Sequence, residues 1–140
     1  MKFQKNYSKK KRIIFITATR ADFGKMKSLI RALDHNDNFE VHVVVTGMHM
    51  MARYGSTYRE VEKSNFRNIH KFKNQKIEDG MDRILANSIL KFSGLIKSIL
   101  PDMIIYHGDR VEALAAATVG SLNNILSAHI EGGEVSGTVD

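Results

Sequence analysis

Five short runs rich in β-branched and other apolar residues recur along the chain, and between them apolar positions fall three and four residues apart. The first run, over residues 12–17, has no polar position alternating with its apolar ones and reads as a strand buried on both faces. Phe23, Met26, Leu29, Ile30 and Leu33 then form the stripe of an amphipathic helix, with Asp22 expected as its N-cap. A second strand is expected over 40–46, and Gly47 permits a sharp exit from it. Between 50 and 76 the pattern is least regular and predicts a short helix over 57–63 and a strand over 68–73. Met81, Ile84, Leu85, Ser88, Ile89, Phe92, Leu95, Ile96 and Ile99 give about five turns of one-faced helix, stopped before Pro101, the only proline. A strand over 102–108, a helix through Val111, Leu114, Ala115, Thr118, Val119 and Leu122, and a last strand over 125–130 complete the pattern.

Strands alternating with helices predict a parallel sheet with right-handed crossovers, a Rossmann-like doubly wound α/β fold of strand order 3-2-1-4-5. The expected organisation is a basic flexible tail over 1–12 and a Rossmann-like domain over 13–140. That domain stops where another helix would normally follow its fifth strand, so it is expected to be incomplete, with an exposed sheet edge and a tendency to associate. The long apolar helix over 81–99 is a candidate surface for a homo-oligomer of the full-length protein.

Composition narrows the classes. At 140 residues, 43% hydrophobic and without cysteine, the chain is neither a disordered segment nor a disulfide scaffold, and thiol chemistry is excluded. Its net charge of +6 suggests a nucleic-acid partner, but Lys2, Lys5, Lys9, Lys10, Lys11 and Arg12 account for it, leaving 15 basic against 15 acidic residues beyond them. A formally neutral body argues against a nucleic-acid groove, and the tail reads as a solvated lead-in. No apolar run approaches the ~20 residues of a membrane span, and none resembles the core of a signal peptide, which places the protein in the cytoplasm without a membrane partner.

In an open parallel sheet, ligands bind beyond the carboxyl ends of the strands where the strand order reverses, here between the first and fourth strands. The loops at those ends, 17–24, 107–110 and 131–134, are dense in glycine and charge. The first loop lacks G-x-G-x-x-G and the second strand ends in Thr-Gly rather than an acid, so no nicotinamide or flavin cofactor is expected. Arg20 beside a helix N-terminus suits a pyrophosphate, and Arg110 is expected across the same crevice. Asp109 and Glu131, at the ends of adjacent strands ~4.8 Å apart, are placed to share one sugar-sized substrate as acid and base, although Asp109 also fits an N-cap paired with Glu112. His49 lies in a loop near the mouth, either orienting substrate or simply exposed. The spacings His107-x-Asp109 and His129-x-Glu131 would put each pair on one side of a strand; hydrogen-bonded histidines are the commoner reading of such a pattern, and no metal site is assigned.

Taken in order, TATRADFGK at 17–25, TGMHM at 46–50, YGSTYREVE at 54–62, HGDRVEALAAA at 107–117 and HIEGGEVSGTVD at 129–140 resemble the N-terminal domain of the hydrolysing UDP-N-acetylglucosamine 2-epimerases of sialic acid biosynthesis. The resemblance implies a glycosyltransferase-B-like two-domain enzyme, of which this chain is the first part, needing no cofactor and taking UDP-N-acetylglucosamine to N-acetylmannosamine and UDP through 2-acetamidoglucal. It implies acid and base roles for Asp109, Glu131 and Asp140, and contacts to the nucleotide diphosphate from Arg20, Ala21, Gly24 and Arg110. The family often has Ser where this chain has Gly24, a departure that removes a hydroxyl but leaves the backbone N–H. It also implies that the chain without its second domain is inactive. Related 2-epimerases acting on a diacetylated trideoxy nucleotide sugar, a noncatalytic nucleotide-sugar-binding fragment and a nucleic-acid binder using the tail are the competing readings.

Overall fold

The computed structural model describes residues 9–133 and 135. Five strands, β1 (Lys11–Thr17), β2 (Phe39–Val45), β3 (Ile69–Lys71), β4 (Met103–His107) and β5 (Leu126–Ile130), alternate with α1 (Arg20–Asp34), α2 (Tyr58–Glu62), α3 (Met81–Ile99) and α4 (Val111–Leu122). The strands form one wholly parallel sheet in the order β3-β2-β1-β4-β5, the Rossmann-like arrangement that the alternation predicts.

β1 is paired on both sides, to β2 and β4, and both of its faces are covered. Ile13 and Phe15 point to one side, where they pack with Phe23, Met26 and Ile30 of α1 and Val61 of α2. Ile14 and Ile16 point to the other, against Phe92 and Ile96 of α3 and Val119 of α4. The uninterrupted apolar run of β1 is thus the sequence mark of its central place. β5, by contrast, ends the sheet, and Leu126 on it is 67% exposed.

The structure corrects several local expectations. Lys11, assigned to the tail, belongs to β1 together with Arg12, which both the tail and the expected first strand had included; Arg12 pairs with Glu40 at 3.5 Å and donates from Nη1 to the Ile99 carbonyl. The cap of α1 is Thr19, not Asp22. Thr19 accepts from the Asp22 N–H, and Asp22 accepts from the Thr19 N–H in return, a capping box that starts the helix at Arg20. The cap of α4 is Arg110, without a side-chain cap bond, so the Asp109–Glu112 box does not form. After β2 the chain makes two short 3₁₀ turns, Gly47–Met50 and Ala52–Tyr54, which carry no long-range periodicity for a pattern to reveal. Gly47 opens the first at φ +61, and a Cβ there would stand 2.7 Å from both the Ala18 Cβ and Glu112 Oε1.

Phe15 is fully buried at the centre of the sheet. Phe15→Ala should therefore cost ~3–5 kcal/mol, read from the urea midpoint at constant slope, and a loss under about 1 kcal/mol would contradict this packing.

Candidate functional site

β1, β4 and β5 deliver their carboxyl ends to one edge of the domain. The loops that follow β4 and β5 enclose a depression of about 340 Å³ lined by Asp109 and Glu131, with His107, His129 and the glycines between them. The two carboxylates expected to share a substrate therefore face one cleft. Glu131 stands at φ +53, in the left-handed region that costs a side-chain-bearing residue roughly 1–2 kcal/mol, while Gly108 and Gly133 take similar angles.

Two partners hold Glu131 there. Its Oε2 accepts from Lys25 Nζ at 2.6 Å and from His107 Nε2 at 2.9 Å. Because the carboxylate can only accept, His107 carries its proton on Nε2. These two donors, Lys25 first, hold the Glu131 carboxyl below the usual glutamate range, so it is ionised at neutral pH. The same-strand pairing of His129 with Glu131 does not form. His129 Nε2 instead donates to the Gly108 carbonyl at 2.5 Å, and its ring lies against Tyr106 and occupies the space a Cβ on Gly132 would need. Asp109 is exposed and makes no side-chain bond among the described residues.

Arg20 and Arg110 sit at the starts of α1 and α4, which follow the neighbouring strands β1 and β4, and so flank the crevice. Neither is unpaired. Arg20 Nε lies 3.2 Å from Glu60 and the side chain is 74% exposed, whereas Arg110 Nε donates at 3.2 Å to Glu112, which is only 2% exposed. Ala21 is exposed in the first turn of α1, where its N–H is one of those a helix leaves free. Gly24 is the fifth residue of α1, so the backbone donor expected of it is spent inside the helix; what it offers is open space, with no atom within 4 Å of a Cβ built there.

His49 is not exposed at the mouth but completely buried. The Thr17 hydroxyl donates to Asp22, so His49 Nε2 must donate to Thr17 Oγ1, at 2.9 Å, and His49 Nδ1 accepts from Thr57 at 2.7 Å. This chain ties the β1–α1 loop to the start of α2. Burial pushes the His49 imidazole down, against the opposing pull of Asp22 and Glu60.

Two residues escaped the sequence reading, Lys25, which lay within the quoted 17–25 motif, and Asn74, whose burial no local pattern signals, while Glu112 had been read only as a capping acid. Asp140 lies outside the described residues.

With this geometry in view, the comparisons decide the family. The family model described as UDP-N-acetylglucosamine 2-epimerase matches residues 31–140. The chain belongs to the UDP-N-acetylglucosamine 2-epimerase family. Over 130 residues it is 52% identical to a UDP-N-acetylglucosamine 2-epimerase from Neisseria meningitidis, covering 93% of this chain and 34% of the relative. It is 35% identical over 133 residues to a UDP-N,N'-diacetylbacillosamine 2-epimerase (hydrolyzing) from Legionella pneumophila, covering 93% and 35%. Among solved structures, a UDP-N-acetylglucosamine 2-epimerase superposes with TM-score 0.79 at 22% identity over 93% of this chain and 35% of that one. A second, from Neisseria meningitidis bound to UDP-GlcNAc, gives 0.76 at 20% identity over 87% and 32%. These last two establish the shared fold. The chain spans about a third of the length of the epimerases it matches.

Two measurements check the electrostatics. Lys25→Met should raise the Glu131 carboxyl titration towards the ordinary glutamate value in carbon-13 NMR, because the pair is intact at neutral pH and released only as pH falls through the lowered value; an unmoved midpoint would remove Lys25 from the account. For His49 the folded value is depressed, so the unfolded chain takes up the proton first. Stability should hold above about pH 6.5 and fall as pH drops from there towards the lowered native value. His49→Gln should lack that component when unfolding free energies are compared across pH, and parallel curves for the two proteins would refute it.

Proposed function

We propose that this chain is the N-terminal part of a hydrolysing UDP-N-acetylglucosamine 2-epimerase that releases N-acetylmannosamine and UDP. The observation that carries the reading is the meeting of Asp109 and Glu131 in one cleft, one of them held ionised by Lys25 and His107. A carboxylate takes the proton from C2 of the sugar; the C1–O bond breaks, its electron pair leaving with UDP, and a C1=C2 double bond forms as 2-acetamidoglucal. Water then adds its oxygen to C1, and a carboxyl returns a proton to C2 from the opposite face. The C2 proton is weakly acidic, so the departing diphosphate needs cationic help alongside the base. Arg20, the free N–H groups at Arg20 and Ala21, and Arg110 supply it, Gly24 leaves room, and Asp140 joins Asp109 and Glu131 in the acid and base work. His49 acts by fixing the loop that carries Arg20, not by touching substrate. On this reading the working protein is a cytoplasmic homo-oligomer of two-domain subunits and requires no cofactor.

Similarity to two hydrolysing diacetylbacillosamine 2-epimerases, at 35% and 30% identity, supports a second reading with the same chemistry on a diacetylated trideoxy nucleotide sugar. Incubating a protein of the relatives' full length with each nucleotide sugar in deuterium oxide separates the two. UDP-N-acetylglucosamine should yield UDP and free N-acetylmannosamine deuterated at C2. A product still joined to UDP would exclude hydrolysis, and turnover of the diacetylated sugar alone would favour the second reading. Asp109→Asn and Glu131→Gln should each lower turnover ~100-fold or more, and the 140-residue chain should release no UDP by itself.

A further inference from the structure

Glu112 is the most deeply buried carboxylate among the described residues, yet the chemistry above does not use it. It occupies the first turn of α4, where the helix N-terminus favours negative charge, and each of its oxygens has a different donor. Oε2 accepts from Arg110 Nε and Oε1 from Asn74 Nδ2, both at 3.2 Å. The orientation of Asn74 is fixed in turn. Its Oδ1 accepts the Gly47 N–H at 3.1 Å, its Nδ2 also reaches Ser88 Oγ at 2.9 Å, and Ser88 spends its own proton on the Ile84 carbonyl. Asn74 and Arg110 thus donate to Glu112 from opposite sides, one to each carboxylate oxygen.

We infer that Glu112 is a positioning residue that holds Arg110 by its Nε and so presents the two Nη groups as a fork for the diphosphate of the substrate. The inference rests on the nucleotide-sugar reading, since it assigns Arg110 that ligand. Among the described residues no group accepts from the Nη atoms, and the Arg110 side chain is 37% exposed, so the fork is open on its outer edge. Only a carboxylate suits position 112. A glutamine there would turn an amide N–H towards either Arg110 or Asn74, setting donor against donor. Gly47 completes the cradle, because any Cβ at that position would press on Glu112 Oε1.

A double-mutant cycle on UDP affinity, with the full-length protein and folding checked by amide NMR, tests this. Arg110→Ala and Glu112→Gln should each weaken UDP binding about tenfold, and the double variant should be no weaker than either alone. Arg110→Lys, which keeps a cation beside Glu112, should be as weak as Arg110→Ala because it has no fork to anchor. In the wild-type protein the Arg110 Nε–H should exchange slowly, and pyrophosphate should slow rotation of the Nη groups while leaving the Nε shift in place. Tenfold weakening by Arg110→Ala with unchanged affinity in Glu112→Gln would overturn the positioning role and leave the nucleotide-sugar reading intact. Additive losses would overturn it as well, by making Glu112 act independently of Arg110. A wild-type protein that binds no UDP would overturn both.

Discussion

β1 pairs with β2 on one side and β4 on the other, and at that seam the crossovers change face: α1 and α2 lie on one side of the sheet, α3 and α4 on the other. The helices that follow these two neighbouring strands, α1 and α4, lie on opposite faces and leave a gap beyond the strand ends, and the gap is where Arg20 and Arg110 stand. The seam holds because β1 is apolar on both faces and buried from Ile13 to Thr17. A polar residue within that run would weaken the packing of both faces and the alignment of the loops at once.

Among the described residues, three ion pairs of charged side chains stand at this edge and differ in kind. Arg20–Glu60 and Lys25–Glu131 join partly exposed side chains, where water and salt compete for each partner and leave little net attraction. Arg110–Glu112 has its acid sealed in the core, and removing Arg110 would leave that carboxylate without its cationic partner. The exposed pairs are therefore easily exchanged, whereas the buried acid is fixed. The chain from Thr57 through His49 and Thr17 to Asp22 gives the β1–α1 loop a second rigid support.

The fold was legible because its signals are local and repeated. Period-three-and-four stripes over 81–99 and the β-branched-rich runs of β1 and β2 each report burial through residue spacing alone, and alternation of the two fixes a parallel topology. Where spacing carries nothing the reading weakened. The 3₁₀ turns after β2 depend on Gly47 meeting Ala18 and Glu112, contacts made with residues far along the chain. The N-cap was misplaced by three residues because Thr19 and Asp22 both have capping chemistry, and only their reciprocal bonds say which one begins the helix.

At the site, the sequence by itself determined the inventory: two carboxylates at the ends of adjacent strands, two arginines at helix starts, and no glycine fingerprint for a dinucleotide. Tertiary structure decided how each group is held. It buried His49, which from its loop had read as orienting substrate or as exposed, drew Lys25 from α1 across to Glu131, and turned Glu112 from a capping acid into the hydrogen-bond partner of Arg110. The physical reason is that strand and helix periodicity are set by neighbours along the chain, whereas the state of a charged or polar side chain is set by which donors and acceptors the folded sheet brings within about 3 Å of it.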